Sequence, residues 1–313
     1  MLKYSIKRLA RSLITLVILI TIVFALLRFM PEEGYFNNYE KMSPAQIELG
    51  LIKMGLKDPL YVQVVRFIGN LLKGDLGVSY RYRVNTPIAR IIAPKIAISA
   101  KLGIICMVLS LPLGLALGVL MARYKGKFWD KLGNAYIVFI QAVPNAVYFI
   151  FIQLYGSTWL KIPMLYNEND WRTLILPTVS LALPSISSYA MWLRRYMVDE
   201  TNKDYIKLAR AKGVPNTTIW FRHVFRNAVV PIVNLIPGSL LMTISGSIYT
   251  ESFYSIPGMG GLLVDVIKRQ DNNMVMVLVV LFAAVGVVGL LLGDIAMAIV
   301  DPRISFTKKE GSR

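Results

Sequence analysis

Histidine, cysteine and acidic residues are scarce in this sequence of 313 residues, and each shortage excludes a class of protein. The single histidine, His223, excludes a metal site or a catalytic pair built on histidines alone. The single cysteine, Cys106, excludes an intrachain disulfide and a cysteine metal cluster. Asp and Glu total 18, and none lies in the middle of a long apolar run, where a proton-coupled carrier would need one.

Sequence motifs of enzymes are missing as well. The only Gly-Lys pair, Gly126-Lys127, has Met121 at the position where a phosphate-binding loop needs its first glycine. Neither His-Glu-x-x-His nor Gly-x-Ser-x-Gly occurs in the sequence. We therefore expect a chain that is not an enzyme, and any energy that it uses must come from partners.

Apolar residues, by contrast, are abundant enough to predict a membrane protein. They make up 55% of the chain, and the mean hydropathy is +0.54. A bilayer core about 30 Å thick needs about 20 helical residues, and all but the first of the uncharged stretches reach that length. The first stretch is flanked by arginines, which can extend to the interface. We predict six transmembrane helices within Ser12–Leu27, Leu102–Ala122, Leu132–Leu160, Thr173–Leu193, Asn227–Thr250 and Asn272–Gly293.

Charge predicts the orientation of these helices. More than half of the 35 Lys and Arg lie in the N-terminus, the C-terminal tail, and the connections between helices 2 and 3 and between helices 4 and 5. Cytoplasmic loops are enriched in these residues, so both termini are predicted to be cytoplasmic. No small-residue cleavage site follows the first helix, which indicates an uncleaved signal anchor. Because the basic residues border the helices, we attribute the net charge of +17 to orientation and anionic lipid, not to nucleic acid.

The predicted helices divide the chain into four parts. These are the N-terminus and first helix (1–30), an extracytoplasmic loop (31–95), the other five helices (96–300) and a cytoplasmic tail (301–313). Helix start signals at Ser43-Pro44, Pro59 and Thr86-Pro87 predict that the loop is a small helical cap. Because the cap is too small for an enzyme domain, we expect it to be a packing or docking surface.

Residues 194–227, between the fourth and fifth helices, form the most informative segment of the chain. Thr201 and Asp204 have the spacing of a capping box. The helix that they begin is predicted to end at Gly213, because Pro215 cannot continue it. Two interpretations of this amphipathic helix stay open on its form alone. In one interpretation it lies on anionic lipid. In the other, a partner protein binds it and moves it.

Several motifs spread over nearly the whole chain carry a family resemblance. They are Gly69–Gly77, Ala209–Gly213, Phe221–Ala228 with Pro231, Glu251–Gly260 and Asp301–Arg303. Together they resemble the membrane permease subunits of binding-protein-dependent ABC importers, and most closely the first-permease type of the dipeptide, oligopeptide and nickel group. The general importer motif begins Glu-Ala-Ala six residues before its glycine, whereas Lys207 and Leu208 replace its first two members here.

The resemblance implies a type I ABC importer permease fold, all-α and polytopic, which forms half of a translocation pathway. It implies short peptides as the substrate, with nickel chelates and oligosaccharides as the other substrates of such permeases. The implied partners are a second homologous permease, two ABC ATPases, an extracytoplasmic substrate-binding protein and membrane lipid. The chain itself would bind no cofactor, because ATP and Mg²⁺ belong to the ATPases. The ATPase-coupling residues would be Asp204, Tyr205, Lys207, Leu208, Ala209, Arg210, Ala211, Lys212 and Gly213.

A second candidate site lies at the extracytoplasmic end of the fifth helix. We predict an outer gate there, formed by Glu251, Pro257, Gly258 and Gly260. An ordinary surface turn is the alternative interpretation. In the third helix, Gln141 and Asn145 either line the pathway or form hydrogen bonds between helices.

A self-sufficient secondary transporter or channel is the alternative function. It predicts inverted internal repeats and gradient-driven activity of the chain alone. The sequence shows no convincing repeat, and the charges that such a carrier would need in the middle of the membrane are missing. The sequence therefore favours the ATP-driven importer.

Overall fold

The protein is described here by a computed structural model covering residues 2–300, with side chains from residue 9 onward. The predicted tail and its motif Asp301–Arg303 lie outside the described residues. Within them the structure is helical, and the one β pairing is an isolated bridge between Val78 and Pro87. The predicted all-α fold is confirmed.

Fourteen α-helices follow one another along the described part of the chain. The first seven are α1 Leu2–Leu27, α2 Pro44–Lys53, α3 Leu60–Leu72, α4 Ile88–Arg123, α5 Phe128–Ala142, α6 Asn145–Leu160 and α7 Ile175–Thr201. The others are α8 Asp204–Ala211, α9 Asn216–Thr218, α10 Arg226–Ala228, α11 Val230–Ile244, α12 Ile248–Phe253, α13 Met259–Lys268 and α14 Asn272–Val300. A π-helix, Ile219–Phe225, connects α9 to α10.

The structure has five or six membrane crossings where six are predicted, because the third predicted crossing is not a single straight helix. Five segments are long and apolar enough to cross a membrane, and the pair α5 and α6 makes a sixth crossing if the two are taken together. The axes of α5 and α6 differ by 104°. The bend lies at Val143 and Pro144, because Pro144 donates no backbone hydrogen bond and disfavours helical backbone at the residue before it.

Closely packed glycines join the long helices in pairs. On α4, a Cβ built on Gly118 would lie 3.0 Å from the carbonyl oxygen of Ala190, which belongs to α7. On α14, a Cβ built on Gly289 would lie 2.9 Å from the Cα atom of Gly238, which belongs to α11. Small residues at these positions allow the helix backbones to approach closely.

A small helical cap formed by residues 31–87 covers one end of the bundle, which we call the cap end. The buried carboxylate of Asp271 accepts a hydrogen bond of 2.6 Å from Ser79, and Asn273 donates one of 2.7 Å to the carbonyl of Val78. The cap is thereby fixed to the beginning of α14. The helix predicted to begin at Thr86-Pro87 is α4, which runs from the cap through Pro94 into the bundle without interruption.

Candidate coupling site and the Glu251 turn

The connection between α7 and α11 lies at the end of the bundle opposite the cap. The short helix α8 ends as predicted, since Gly213 adopts a left-handed backbone with φ of +74°. The amide of Val214 then bonds to the carbonyl of Ala209 at 3.1 Å, and Pro215 precedes the next helical turn, α9. The result is a helix, a sharp turn and a second helical segment, as the sequence predicts.

The beginning of α8 differs from the prediction. The residue before α8 is Lys203, and its side chain caps no amide. The hydroxyl of Thr201 donates instead to the carbonyl of Val198 at 2.7 Å. The predicted capping box is therefore wrong. Its threonine is still the last residue of α7, which keeps the hydroxyl within that helix.

One side of α8 is held by an apolar core. Ile206 is completely buried and belongs to a cluster with Met197 of α7 and with Ile219 and Val224 of the π-helix. Ile206 is not among the residues that the sequence predicts for coupling. Its spacing of three from Ala209, which packs against the same cluster, was the available signal.

The other side of α8 is exposed and basic. Leu208 is 55% exposed, and the basic side chains of Lys207, Arg210 and Lys212 also face outward. Lys207 forms an ion pair of 2.8 Å with Asp204 inside the same helix. Leu208 is thus an apolar side chain among basic ones on an exposed surface.

Polar side chains join α8 to the segments before and after it. The Tyr205 hydroxyl donates to the carboxylate of Glu200 on α7. Asn227 of α10 donates to the Tyr205 oxygen at 2.7 Å and to Glu200 at 3.2 Å. Burial and the neighbouring Glu200 raise the pKa of Tyr205 to about 12, so the phenol keeps its proton at neutral pH. The ring of His223 meets the Tyr205 ring edge-on at 6.5 Å.

A second polar contact at this end joins α5 to α7. Arg194 donates to the buried carboxylate of Asp130 through two nitrogens, at 2.5 and 2.8 Å. The same carboxylate accepts the amide of Gly126 at 2.8 Å. A two-point contact of this kind fixes the relative orientation of both groups, so α5 is held against α7.

At the cap end, Glu251 lies in the interior of the protein and is 1% exposed. Its carboxylate accepts hydrogen bonds from the Ser99 hydroxyl at 2.7 Å and from the amides of Gly260 and Gly261 at 2.6 and 3.0 Å. The predicted gate residues Glu251 and Gly260 are thus in direct contact, while Pro257 accepts a bond of 3.5 Å from Lys95. We call residues 251–261 the Glu251 turn.

The Glu251 turn leaves no room for larger residues. A Cβ built on Gly258 would lie 2.5 Å from the Ser99 hydroxyl and 2.5 Å from the Glu251 carboxylate. One built on Gly260 would lie 2.7 Å from the amide nitrogen of Ile248. Glycine is therefore required at both predicted positions by close packing. The helix that leaves the turn, α13, begins directly after Gly258.

The polar residues of the bent third crossing bond within the chain. Gln141 is exposed and reaches the sulfur of Met191 at 3.4 Å, and Asn145 accepts from Tyr148 at 2.8 Å. Gln153 donates to the carbonyl at the end of α12 at 2.6 Å. This last contact favours the interpretation as hydrogen bonds between helices. A pathway role of Gln141 and Asn145 stays a prediction.

A groove of about 790 Å³ lies along the side of the bundle, between α1, α7, α11 and α14. Small or polar side chains line part of it, among them Thr15, Ser188, Asn234, Gly238 and Ser239. None of the residues predicted for the pathway lines it. Its signal in the sequence was the combination of small residues with prolines inside apolar runs.

A metal site is not indicated in the part of the chain that the structure describes. Within residues 2–300 there is no group of three or more His, Cys, Asp or Glu side chains that are placed to hold an ion.

Two family models match the chain. The model described as "Binding-protein-dependent transport system inner membrane component" matches residues 114–306. The model for the N-terminal part of such membrane components matches residues 1–87. The two matches contain both the α7–α11 connection and the cap.

Known proteins with similar sequences carry names of peptide transport. The oligopeptide transport system permease protein AmiC of Streptococcus pneumoniae is 39% identical over 68% of this chain, but the match spans only 43% of that protein. The dipeptide transport system permease protein DppB of Lactococcus lactis is 32% identical, over 97% of this chain and 99% of its own length. The oligopeptide transport system permease protein AppB of Bacillus subtilis is 31% identical, with the same coverage of both chains.

Proposed function

This chain belongs to the family of binding-protein-dependent transport system inner membrane components, and on that basis we propose that it forms half of the membrane pathway of an ATP-driven importer of short peptides. The family resemblance predicted from the sequence is confirmed. The observation that carries the proposal is α8, a protruding basic helix with an exposed Leu208, on a chain whose sequence has no phosphate-binding loop of its own.

The packing of α8 supports its use as a coupling helix. A partner ATPase would hold the exposed side from Tyr205 to Gly213 and move it when ATP closes the ATPase pair. Because Ile206 is embedded between α7 and the π-helix, the movement passes to both flanking crossings. α7 packs on α4, and α11 packs on α14, so the motion reaches most of the bundle.

The orientation of the chain follows from the same assignment. α8 lies in the cytoplasm with both termini, and the cap lies outside, where a substrate-binding protein docks on it. A second homologous permease completes the pathway, while two ABC ATPases bind ATP and Mg²⁺. The chain itself binds neither cofactor nor nucleic acid. The excess of basic residues beside the crossings supports this orientation.

The substrate class rests on the names of the relatives and on the character of the groove. The relatives are named as oligopeptide and dipeptide permeases. Hydroxyl and amide side chains in a largely apolar groove can bond to a peptide backbone without selecting its side chains. We therefore propose that this groove contributes to the pathway for short peptides.

The Glu251 turn is proposed as the outer gate. Its carboxylate connects the turn to Ser99 on α4, so the turn can move only together with α4 or after this contact breaks. Since Glu251 is buried, it would act on the gate by holding the turn rather than by contacting the peptide in this conformation.

Reconstitution tests the proposed function against the secondary transporter. The tagged chain is purified with and without its co-expressed permease partner, ATPases and binding protein, and peptide uptake into proteoliposomes is measured. We expect uptake only when the permease partner, the ATPases and the binding protein are all present and ATP is supplied on the side of the membrane where the ATPases lie. Gradient-driven uptake by the chain alone would contradict the proposal and support the alternative.

A further inference from the structure

We propose that Glu200, Tyr205 and Asn227 form a hydrogen-bonded clasp that makes α8 move as one unit with α7 and α10. They are positioning residues for coupling. They transmit the displacement of α8 and need not touch the ATPase. This inference rests on the proposed function, because it assigns a part of the same coupling site.

The clasp joins three separate segments of the chain. Glu200 lies in the last turn of α7, Tyr205 is the second residue of α8, and Asn227 is the middle residue of α10. The Tyr205 hydroxyl donates to Glu200 and accepts from Asn227, while Asn227 also donates to Glu200. Each of the three residues therefore bonds to the other two. Together they join the end of α7, the beginning of α8 and α10.

The apolar core under α8 does not fix the orientation of the helix as the clasp does. Ile206 holds the inner side of the helix by packing, and packing is not directional. Hydrogen bonds have preferred angles. The bonds that Tyr205, which precedes Ile206, makes to Glu200 and Asn227 therefore fix the rotation of α8 about its own axis. Without these hydrogen bonds, a force on the exposed side would first rotate α8 about its axis, and only then would the force displace α7.

Other polar contacts near α8 provide a matched control. The side chain of Asn202 is exposed and donates to the carbonyl of Val198 at 3.2 Å, within the end of α7. It connects no second segment. Asn202→Ala and Asn227→Ala remove the same group from the same surface, but only the second change opens the clasp.

The test uses the complete complex in proteoliposomes, with ATP hydrolysis and peptide uptake measured in the same vesicles. Tyr205→Phe keeps the ring and removes the hydroxyl that the clasp needs. For Asn227→Ala, which lies outside the surface that the ATPase holds, we expect unchanged co-purification of the ATPases and continued hydrolysis. For both variants we expect peptide taken up per ATP to fall by about fivefold or more, because each change removes two of the three hydrogen bonds. Asn202→Ala is expected to keep the wild-type ratio.

Two results would overturn the clasp. One is a wild-type ratio of uptake to hydrolysis in Tyr205→Phe, and the other is loss of ATPase binding in Asn227→Ala, which would make the Asn227 amide a direct partner contact. A wild-type complex that neither hydrolyses ATP nor takes up peptide would instead refute the proposed function, so the two failures are distinguishable.

A rescue experiment separates coupling from folding. Glu200→Cys and Asn227→Cys are combined in a Cys106→Ser background, and a short bifunctional thiol reagent joins the two positions. We expect the ratio of uptake to hydrolysis to be low before the reagent is added and to recover afterwards. A ratio that stays low after cross-linking is confirmed by mass spectrometry would contradict the clasp.

Discussion

Two glutamates, one at each end of the bundle, organise their surroundings in different ways. Glu251 is buried, and its acceptor positions are filled by one hydroxyl and two backbone amides within a turn that only glycine fits. Glu200 lies near the surface and bonds to two side chains, one from α8 and one from α10. A buried carboxylate with backbone donors holds one arrangement, because leaving any donor unpaired is costly.

The comparison indicates that the clasp and the Glu251 turn have different mechanical roles. Bonds at the surface are worth less and exchange readily with water, so the clasp can follow a moving partner. The Glu251 turn is suited to holding a single arrangement until its three hydrogen bonds break together. The following changes, ordered from the largest expected effect to the smallest, test this difference.

The largest effect is expected from Gly258→Val in the Glu251 turn. The added carbons would overlap the Ser99 hydroxyl and the Glu251 carboxylate, and overpacking of this kind costs about 3 kcal/mol. We expect a lower melting temperature of the purified complex and loss of peptide uptake. The control is Gly69→Ala in α3, where a Cβ meets no atom within 4 Å. Equal melting temperatures for the two variants would contradict the packing of the turn.

A smaller effect is expected from Gly213→Val, at the end of α8. Its φ of +74° costs a β-branched residue roughly 1–2 kcal/mol, and nothing else crowds the position. We expect normal insertion and continued ATP hydrolysis but reduced peptide uptake per ATP. Gly213→Asn tolerates the left-handed backbone and is expected to retain most of that ratio. Normal uptake in Gly213→Val would refute the coupling role of this turn.

The smallest effect is expected from Glu251→Gln. The side-chain oxygen can keep the amides of Gly260 and Gly261, but the new NH2 group then faces the Ser99 hydroxyl. That hydroxyl loses its acceptor and already accepts from the amide of Met259, which weakens the turn by about 1 kcal/mol. We expect unchanged assembly and a severalfold lower rate of uptake at saturating binding protein. Wild-type uptake in this variant would remove Glu251 from the gate.

The sequence predicted the features that depend on local chemistry. Apolar stretches located the candidate crossings, and the Gly213–Pro215 pair gave the end of α8. Each of these follows from the residue itself and its near neighbours.

Features that depend on distant residues were not predictable. The partner of Glu251 is Ser99, far away in the chain, and nothing local distinguishes a buried carboxylate from one that faces a pathway. The same is true of the clasp, since Glu200 and Asn227 approach each other only after α8 has turned back. The 104° bend had a visible cause in Pro144, but proline fixes only the position of a bend and not its angle.

The central claim is that an ATPase holds the exposed side of α8. The most direct test places a photoreactive amino acid at Leu208, which is 55% exposed, and irradiates native membranes that contain the whole complex. Tyr61, which is 71% exposed on the cap, serves as the control position. The account predicts an adduct with an ABC ATPase subunit from Leu208 and none from Tyr61. Adducts with lipid alone at Leu208 would contradict it.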